Sequence, residues 1–524
     1  MSYPRMIQPL VIEDETLAKE HFEVVFQSLR ATHSIASPHW AFCHADGQRL
    51  LSEQRIYHLV TIDLRLPEKP GQPASESLDF GMSLIRDCAK RNEYPIPAVL
   101  VISGHLGQTS QQELGDLVRS SFPYGRVLVK SDRLTDEIEL ALQFIERYCD
   151  VGIHVRDGGD NLFPTLTPRD EDLLRQAVLA DDARIGIDLT WWSAGYDPYS
   201  GWTKTLMGQF LLSEGHGASL YTFFKLASES GAGTVFREAE FMNQKLKHVK
   251  VIFRDAAGDR SLLVTQSAGS GTAAPQSLDN LLSKPKAEVA RHLQRLAQEI
   301  VQQVAALGDR TPDQRDRRHL LWKHHKRERL ESQWKQRGGP ELIVDHGDLV
   351  SSPLALFDSL VADATTVRYE LQSALHGDLN YTNIAIDFVD GSPCAFIFDA
   401  SGCQSGVSIR DIAMLEVATL LHQKAEAPMV LACAPLYSDV VSGGSEGSVT
   451  DRQSNTVLFI QSLREAALQY TAPDVYALMV LDHCLIQLGG LDFGSSFNKI
   501  VNPRESCLLA GLAAKWYERL SQST

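Results

Sequence analysis

Four short apolar runs punctuate the amino-terminal part of the chain, and each ends in polar residues. Leu10-Val11-Ile12 runs into Glu13-Asp14-Glu15, and Leu59-Val60-Thr61-Ile62 into Asp63. Val99-Leu100-Val101-Ile102 runs into Ser103-Gly104-His105, and Val127-Leu128-Val129 into Lys130. Runs that stay apolar instead of alternating predict strands of a parallel sheet covered on both faces. Residues just past the strand ends of such a sheet gather along one edge, where ligands bind. Glu13, Asp14, Asp63, Ser103 and Lys130 are therefore expected in one cluster.

Beyond Cys149 the pattern turns polar and glycine-containing, and Thr167-Pro168 then opens a helix through Leu173, Leu174 and Ala177. A threonine cap followed by a first-turn proline is a helix start. Tyr221-Thr222-Phe223-Phe224-Lys225-Leu226-Ala227 is rich in aromatic and β-branched residues and predicts a strand. After a Gly/Ser turn, Phe236, Ala239, Met242 and Leu246 recur at helical spacing. A long helix is expected from Lys286 to Leu307, glycine-rich loops over 266–276 and 442–448, and mostly helices toward the end of the chain.

With 524 residues, 44% of them hydrophobic and 22% charged, the chain has room for several ordinary globular cores. No run approaches 18 uninterrupted apolar residues, and Met1-Ser2-Tyr3-Pro4-Arg5 lacks the apolar segment of a secretory signal. Eight cysteines without a C-x-x-C pair argue against a disulfide framework or a zinc site. A cytoplasmic protein with reduced thiols is expected. The net charge of −16 opposes general nucleic-acid affinity. Between Arg315 and Arg337 basic residues predominate, with Trp322 and Trp334 interleaved. The first reading there is a solvated helix whose Leu320, Leu321 and Trp322 pack inward; a patch for RNA or an acidic partner is the second. Adjacent His324 and His325 would point about 100° apart on a helix, which does not suit a shared metal ion.

The segment His376-Gly377-Asp378-Leu379-Asn380-Tyr381-Thr382-Asn383, followed by two apolar strand-like stretches and then Asp399, carries the sharpest chemistry. Asp378 is placed to take a proton from an acceptor hydroxyl, and Asn383 and Asp399 offer hard oxygen ligands to Mg²⁺ on nucleotide phosphates. Upstream, Lys225 on its strand and Glu238 on the next helix are the expected phosphate-clamping pair, with Glu240 as the alternative. A G-x-G at Gly215 and Gly217 is the candidate phosphate-covering loop, although Gly217 lies only eight residues before Lys225. A loop around Gly186 or Gly195 stays open as the alternative, as does a plain hairpin turn.

With Gly377 where protein kinases carry arginine, and with Ile384-Ala385-Ile386-Asp387 following, this loop resembles the aminoglycoside phosphotransferase and choline kinase branch of the kinase-like fold. Arg410-Asp411-Ile412-Ala413-Met414-Leu415-Glu416 is similar to the ternary complex associated kinase-like domains. The resemblance covers roughly residues 185–520 and implies an ATP- or GTP- and Mg²⁺-dependent phosphotransferase. A catalytically silent nucleotide-binding scaffold that relays a signal by association is the alternative, because Ala400 follows Asp399 where an aromatic residue often packs. The acceptor substrate is not readable. Asp411 and Glu416 are read either as contacts for a cationic ligand or as structural groups.

The amino-terminal cluster resembles the receiver domain of two-component response regulators over residues 5–148. That resemblance implies Mg²⁺ between Glu13, Asp14 and Asp63, with Asp63 the phosphoacceptor and Ser103 and Lys130 on the transferred phosphate. It also implies a sensor histidine kinase or a small phosphodonor as partner. Two positions depart from the pattern: Ser131 replaces a proline, and Val127 stands where an aromatic switch residue is expected.

The expected architecture is α/β, a flavodoxin-like doubly wound receiver domain followed by a bilobal kinase-like α+β domain. The boundaries read from the chain are a receiver at 1–149, a linker helix at 150–184, an N-lobe at 185–265 and a mostly helical C-lobe at 266–524.

Overall fold

The computed structural model describes residues 6–74, 78–91, 93–104, 108–130, 133–156, 166–191, 203–216, 220–246, 250–257, 260–266, 274–323, 325–398, 400, 404–421, 429–437, 450–489 and 503–523. Expectations at Asp399, Gly217, Gly195, Ser131 and His324, in the 442–448 loop and over most of the 266–276 loop fall outside these residues. The chain is a mixed α/β protein with several sheets and many helices. No helix among the described residues is long and apolar enough to cross a membrane.

The first sheet contains β1 (Pro9–Ile12), β2 (His39–Ala41), β3 (Leu59–Asp63), β4 (Ala98–Ser103) and β5 (Tyr124–Val129). Its order is β2-β1-β3-β4-β5, with every pairing parallel. Successive side chains leave a strand on opposite faces, and both faces are covered. Leu10, Ile12, Val60, Ile62, Val99 and Val101 pack with Leu84, Ile85, Leu114 and Val118. Val11, Leu59, Leu100 and Ile102 pack on the other side with Phe22, Val25, Ile138, Leu142 and Ile145. This two-sided burial is why the strands read as unbroken apolar runs. β5 is the exception, half exposed at the sheet's edge.

A second sheet is built from β6 (Gly152–Val155), β7 (Arg184–Trp191), β8 (Thr203–Leu212), β9 (Tyr221–Ser228), β10 (Lys250–Ala257) and β11 (Arg260–Gln266). Its order is β10-β11-β9-β8-β7-β6. β6 is parallel to β7 and the remaining pairs are antiparallel. One face is covered by the Pro168–Leu179 helix, whose Leu173, Leu174, Ala177 and Val178 pack against Phe210, Phe224, Leu226 and Leu262. That helix begins with a capping box between Thr167 and Asp170. The stretch 150–184, expected as a linker helix, thus supplies an edge strand and a helical cover to this sheet. The opposite face carries the Glu229–Lys245 helix through Ala239 and Met242.

The remaining chain is dominated by helices around one large core. The Lys286–Ala305 helix buries Val289, Leu293, Leu296, Ile300 and Val304 at three- and four-residue spacing. Two small sheets accompany it: β12 (Gln276–Ser277), β15 (Ile384–Val389) and β16 (Ser392–Ile397), and β13 (Arg310–Asp316), β14 (Thr366–Leu375) and β17 (Gln404–Val407). The basic stretch is not one helix. It comprises β13, a short 3₁₀ turn at Arg317–Leu320, and a helix at Arg327–Gln336 that buries Leu330 and Trp334. Arg327 pairs with Asp358 at 2.6 Å, Arg317 with Asp363 at 3.7 Å and Lys335 with Glu331 at 2.7 Å. These ion pairs offset part of the stretch's positive charge on the same surface.

Candidate functional site

β9 lies near the middle of the second sheet, and alternation sends Phe223, Lys225 and Ala227 to one face while Phe224 and Leu226 enter the core behind it. The Lys225 ammonium meets the Glu238 carboxylate at 2.5 Å, with both side chains buried. Glu240, the alternative partner, instead accepts from Gln244 on the exposed side of its helix at 3.3 Å.

The loop that follows β14 is held by its own backbone. Gly377 has φ +81°, in the left-handed region that glycine enters without steric cost. The Asp411 carboxylate accepts the backbone N–H of His376 at 2.7 Å and that of Gly377 at 2.9 Å. Asp411 is buried, and burial pushes its carboxyl above the usual range against the pull of the two N–H groups. Ile409, just before it, takes φ +69° as the chain enters the Arg410–Leu420 helix. Sequence reading left Asp411 open between a ligand contact and a structural group, and the geometry makes it the anchor of this loop. Glu416 is likewise internal. It is buried and accepts from Arg464, Tyr437 and Tyr476.

His376 is also buried. Its Nε2 donates to the Phe398 carbonyl at 2.8 Å, and its Nδ1 accepts the Asp378 N–H at 3.4 Å, which fixes a neutral tautomer. The histidine therefore braces the loop instead of shuttling protons. Asp378 is half-buried, whereas Asn383 is buried. The Asn383 Nδ2 donates to the Asp378 carbonyl at 2.7 Å, while its amide oxygen accepts the Thr382 hydroxyl at 3.3 Å and is the atom with a lone pair to offer a cation. Phe398 N–H donates to the Asn383 carbonyl at 3.0 Å, and the Phe398 ring stacks on Phe223. Asp399 follows Phe398 directly in the chain. Neighbours of these groups share one core: Phe223 on the Lys225 strand, Ala239 and Met242 on the Glu238 helix, and Ala385 and Phe398 in the hairpin that follows Asn383.

The glycine expectation is corrected. Gly215, at φ +87°, lies in the turn from β8 to β9. Lys225 is opposite Thr205, toward the other end of that hairpin, four residues beyond Tyr221 and so about 13 Å away along the strand. The connection nearer Lys225 is the β7–β8 stretch at 192–202, outside the described residues. Gly186 pairs within β7, where an added Cβ would meet the Gly152 carbonyl at 2.6 Å.

At the carboxyl edge of the first sheet, the side chains of Glu13, Asp14 and Asp63 offer ligand oxygens that all lie within 4.8 Å of one another. Lys130 Nζ is 2.8 Å from Asp63 Oδ2 and 3.2 Å from Glu13 Oε2. Burial and the neighbouring Asp63 charge push Glu13 up to about 7, with Lys130 opposing. Asp14 is raised by burial as well. Burial disfavours the Lys130 ammonium, but Asp63 and Glu13 outweigh it and raise its pKa. Ser103 is fully buried and its hydroxyl has no hydrogen-bond partner among the described residues. Three crowded carboxylates beside an orphaned hydroxyl fit a divalent cation with an oxyanion. Val127, the position checked for a switch aromatic, is half-buried in β5.

No protein-family model and no curated protein matches the chain. Among solved structures, a microcompartment-associated aminopropanol kinase is 12% identical, covering 66% of this chain and 96% of its own at a TM-score of 0.31. An aminoglycoside-3'-phosphotransferase of type VIII is 17% identical, covering 56% and 98% at a TM-score of 0.26. An ethanolamine kinase from Plasmodium vivax is 10% identical, covering 60% and 85% at a TM-score of 0.24. At TM-scores of this size, the functional reading rests on the chain's own residues.

Proposed function

We propose that this chain is a nucleotide- and Mg²⁺-dependent phosphotransferase of the kinase-like kind, governed by an amino-terminal receiver unit. The observation that supports the first half is the buried Lys225–Glu238 pair, on a strand and helix whose Phe223, Ala239 and Met242 share a core with Ala385 and Phe398 beside the Asp378–Asn383 loop. In this reading Lys225 clamps the α- and β-phosphates while Glu238 holds its ammonium in place. Asp378 accepts the proton of the acceptor hydroxyl. Asn383, through its amide oxygen, and Asp399 would hold Mg²⁺, whose chemistry is to neutralise charge on the β- and γ-phosphates. ATP or GTP would serve as donor.

The second half is supported by the parallel order β2-β1-β3-β4-β5, which is the flavodoxin-like doubly wound order, and by the acidic pocket at its carboxyl edge. There Asp63 would be the phosphoacceptor. Its carboxylate oxygen bonds to the phosphorus of a small acyl phosphate or of a sensor histidine kinase's phosphohistidine. The donor's bond to phosphorus breaks, and the leaving group keeps the electron pair. Ser103 and Lys130 would contact the phosphate, and Glu13, Asp14 and Asp63 would hold Mg²⁺.

The test of the first half is Mg²⁺-dependent nucleotide turnover, expected in the wild type and lost in Asp378→Ala. Thermal stabilisation by nucleotide with no turnover in either protein would favour the silent scaffold, the reading to which the small, buried Ala400 points. For the receiver unit, phosphate uptake from acetyl phosphate is expected in the wild type and not in Asp63→Asn.

A further inference from the structure

We propose that the Pro168–Leu179 helix couples the Asp63 pocket to the strand that bears Lys225, with Arg169 as its joint. The inference rests on the functional reading above and names how regulation reaches the phosphotransfer site.

The route is contiguous and can be followed residue by residue. Gly81, in the Asp79–Ala89 helix, sits so close to the segment after Asp63 that an added Cβ would lie 2.5 Å from the Leu64 Cα and 3.0 Å from the Asp63 carbonyl. That helix therefore rests on the backbone leaving the phosphoacceptor. At its other end, the Ala89 and Arg91 carbonyls accept from Arg169 at 3.1 and 2.7 Å. Carbonyls at a helix carboxyl terminus have no intrahelical donor, and a guanidinium satisfies two at once. Arg169 is only 4% exposed and also donates to Asp172 at 2.9 Å. Asp172, fully buried, accepts the Tyr148 hydroxyl at 2.7 Å. Arg175 donates to the Tyr148 and Val151 carbonyls at 2.9 and 2.8 Å. The amino-terminal unit is thus gripped through two of its helices.

The opposite side of the same helix holds the second sheet. Leu173, Leu174, Ala177 and Val178 pack with Phe224 and Leu226, the residues that flank Lys225 on β9. Asp170, buried, accepts from Arg260 on β11 at 2.7 Å. Buried, hydrogen-bonded charges do not slide by fractions of an ångström, because any intermediate position leaves a charge unpaired in a low-dielectric interior. A displacement of the Asp79–Ala89 helix therefore reaches β9 as a change of partners instead of being absorbed. The usual aromatic read-out is not at hand, since residue 127 is valine. A phosphoryl group on Asp63 adds charge at the head of this route.

The test uses the full chain with Mg²⁺, ATP and acetyl phosphate. It follows phosphate incorporation, nucleotide turnover, and amide hydrogen exchange over residues 79–91 and 221–228. In the wild type, acetyl phosphate should alter exchange in both segments and change turnover by about fivefold or more. In Arg169→Gln, incorporation at Asp63 should persist and exchange should change over 79–91 only, with turnover no longer responding to the phosphodonor. An Arg169→Gln protein that responds like the wild type overturns the route, as does a labelled wild type whose 221–228 exchange does not move. Should Arg169→Gln not fold, Tyr148→Phe and the wild-type exchange pattern decide by the same criteria. A wild type that takes up no phosphate, or turns over no nucleotide, fails at the functional reading itself, and the coupling falls with it.

Discussion

Phe398 stacks on Phe223 with ring centroids 4.6 Å apart and planes 18° apart. One ring belongs to the residue before Asp399 and the other sits two positions before Lys225, so a single contact joins the strand of Lys225 to the hairpin that leads into Asp399. Phe223→Ala should destabilise the protein by about 3–5 kcal/mol, the usual cost of deleting a buried phenyl ring. Denaturant melts measure the loss, and nucleotide affinity should fall further than in a variant of equal cost within the Lys286–Ala305 helix.

Lys225→Met leaves the buried Glu238 without its partner and should cost about 3–5 kcal/mol of stability. Adding Glu238→Gln should restore much of that stability. Turnover should remain depressed on the order of 10²-fold in both proteins, because the phosphates have lost their cation. Recovery of stability together with turnover would show that the pair serves only the fold.

Asp411→Asn replaces one of two accepting oxygens with an NH₂ group aimed at a backbone N–H. A stability loss of about 1–3 kcal/mol is expected from the unmade hydrogen bond. Turnover should fall more than KM rises, since both Asp411 oxygens are engaged by the loop's own N–H groups. Steady-state kinetics beside a thermal melt separates the two effects.

His58 is buried, accepts the Gln8 N–H through Nδ1 at 3.0 Å, and is pushed down to about 4 by burial. Between its unfolded value near 6.5 and 4, the unfolded chain binds more protons than the folded one. Stability from this group is therefore complete above about pH 6.5 and lost as pH falls toward 4, by about 3 kcal/mol in all. Urea unfolding at pH 7.5, 6 and 5 should show a shallower decline for His58→Asn than for the wild type.

Mg²⁺ should stabilise the chain through the Glu13, Asp14 and Asp63 carboxylates, by about 2.7 kcal/mol at a hundred times the dissociation constant. Thermal shift against Mg²⁺ concentration measures it. Asp14→Asn should weaken the response and Asp63→Asn should nearly abolish its amino-terminal component, with nucleotide left out to silence the second site.

What could be read from the sequence follows burial. β1, β3 and β4 were legible because both their faces are apolar, and the five residues past the strand ends could be grouped from that pattern alone. β2 and β6 have three and four residues and carry too few positions for a period to register. β13 reads Arg-Thr-Pro-Asp-Gln-Arg-Asp, and nothing in it suggests a strand, because it is an exposed edge that, among the described residues, pairs with β14 alone. Asp378 and Asn383 were singled out by fixed spacing, and Lys225 and Glu238, which do pair, by the order of a strand and the helix after it. Asp411 was not assigned as the anchor because its partners lie 34 and 35 positions earlier, and local pattern is blind to such pairing. Gly215 was misplaced for a related reason: spacing to Lys225 counts residues but does not say which end of a hairpin they occupy.

The parallel pairing of β6 with β7, closed by the Pro168–Leu179 helix, decides where this polypeptide can be divided. A fragment beginning at residue 185 would lack both the outer strand and the helix over Phe210, Phe224 and Leu226, leaving greasy rings facing water and a raw backbone edge open to self-association. A carboxyl-terminal piece that keeps this outer strand and its covering helix has to begin near residue 150.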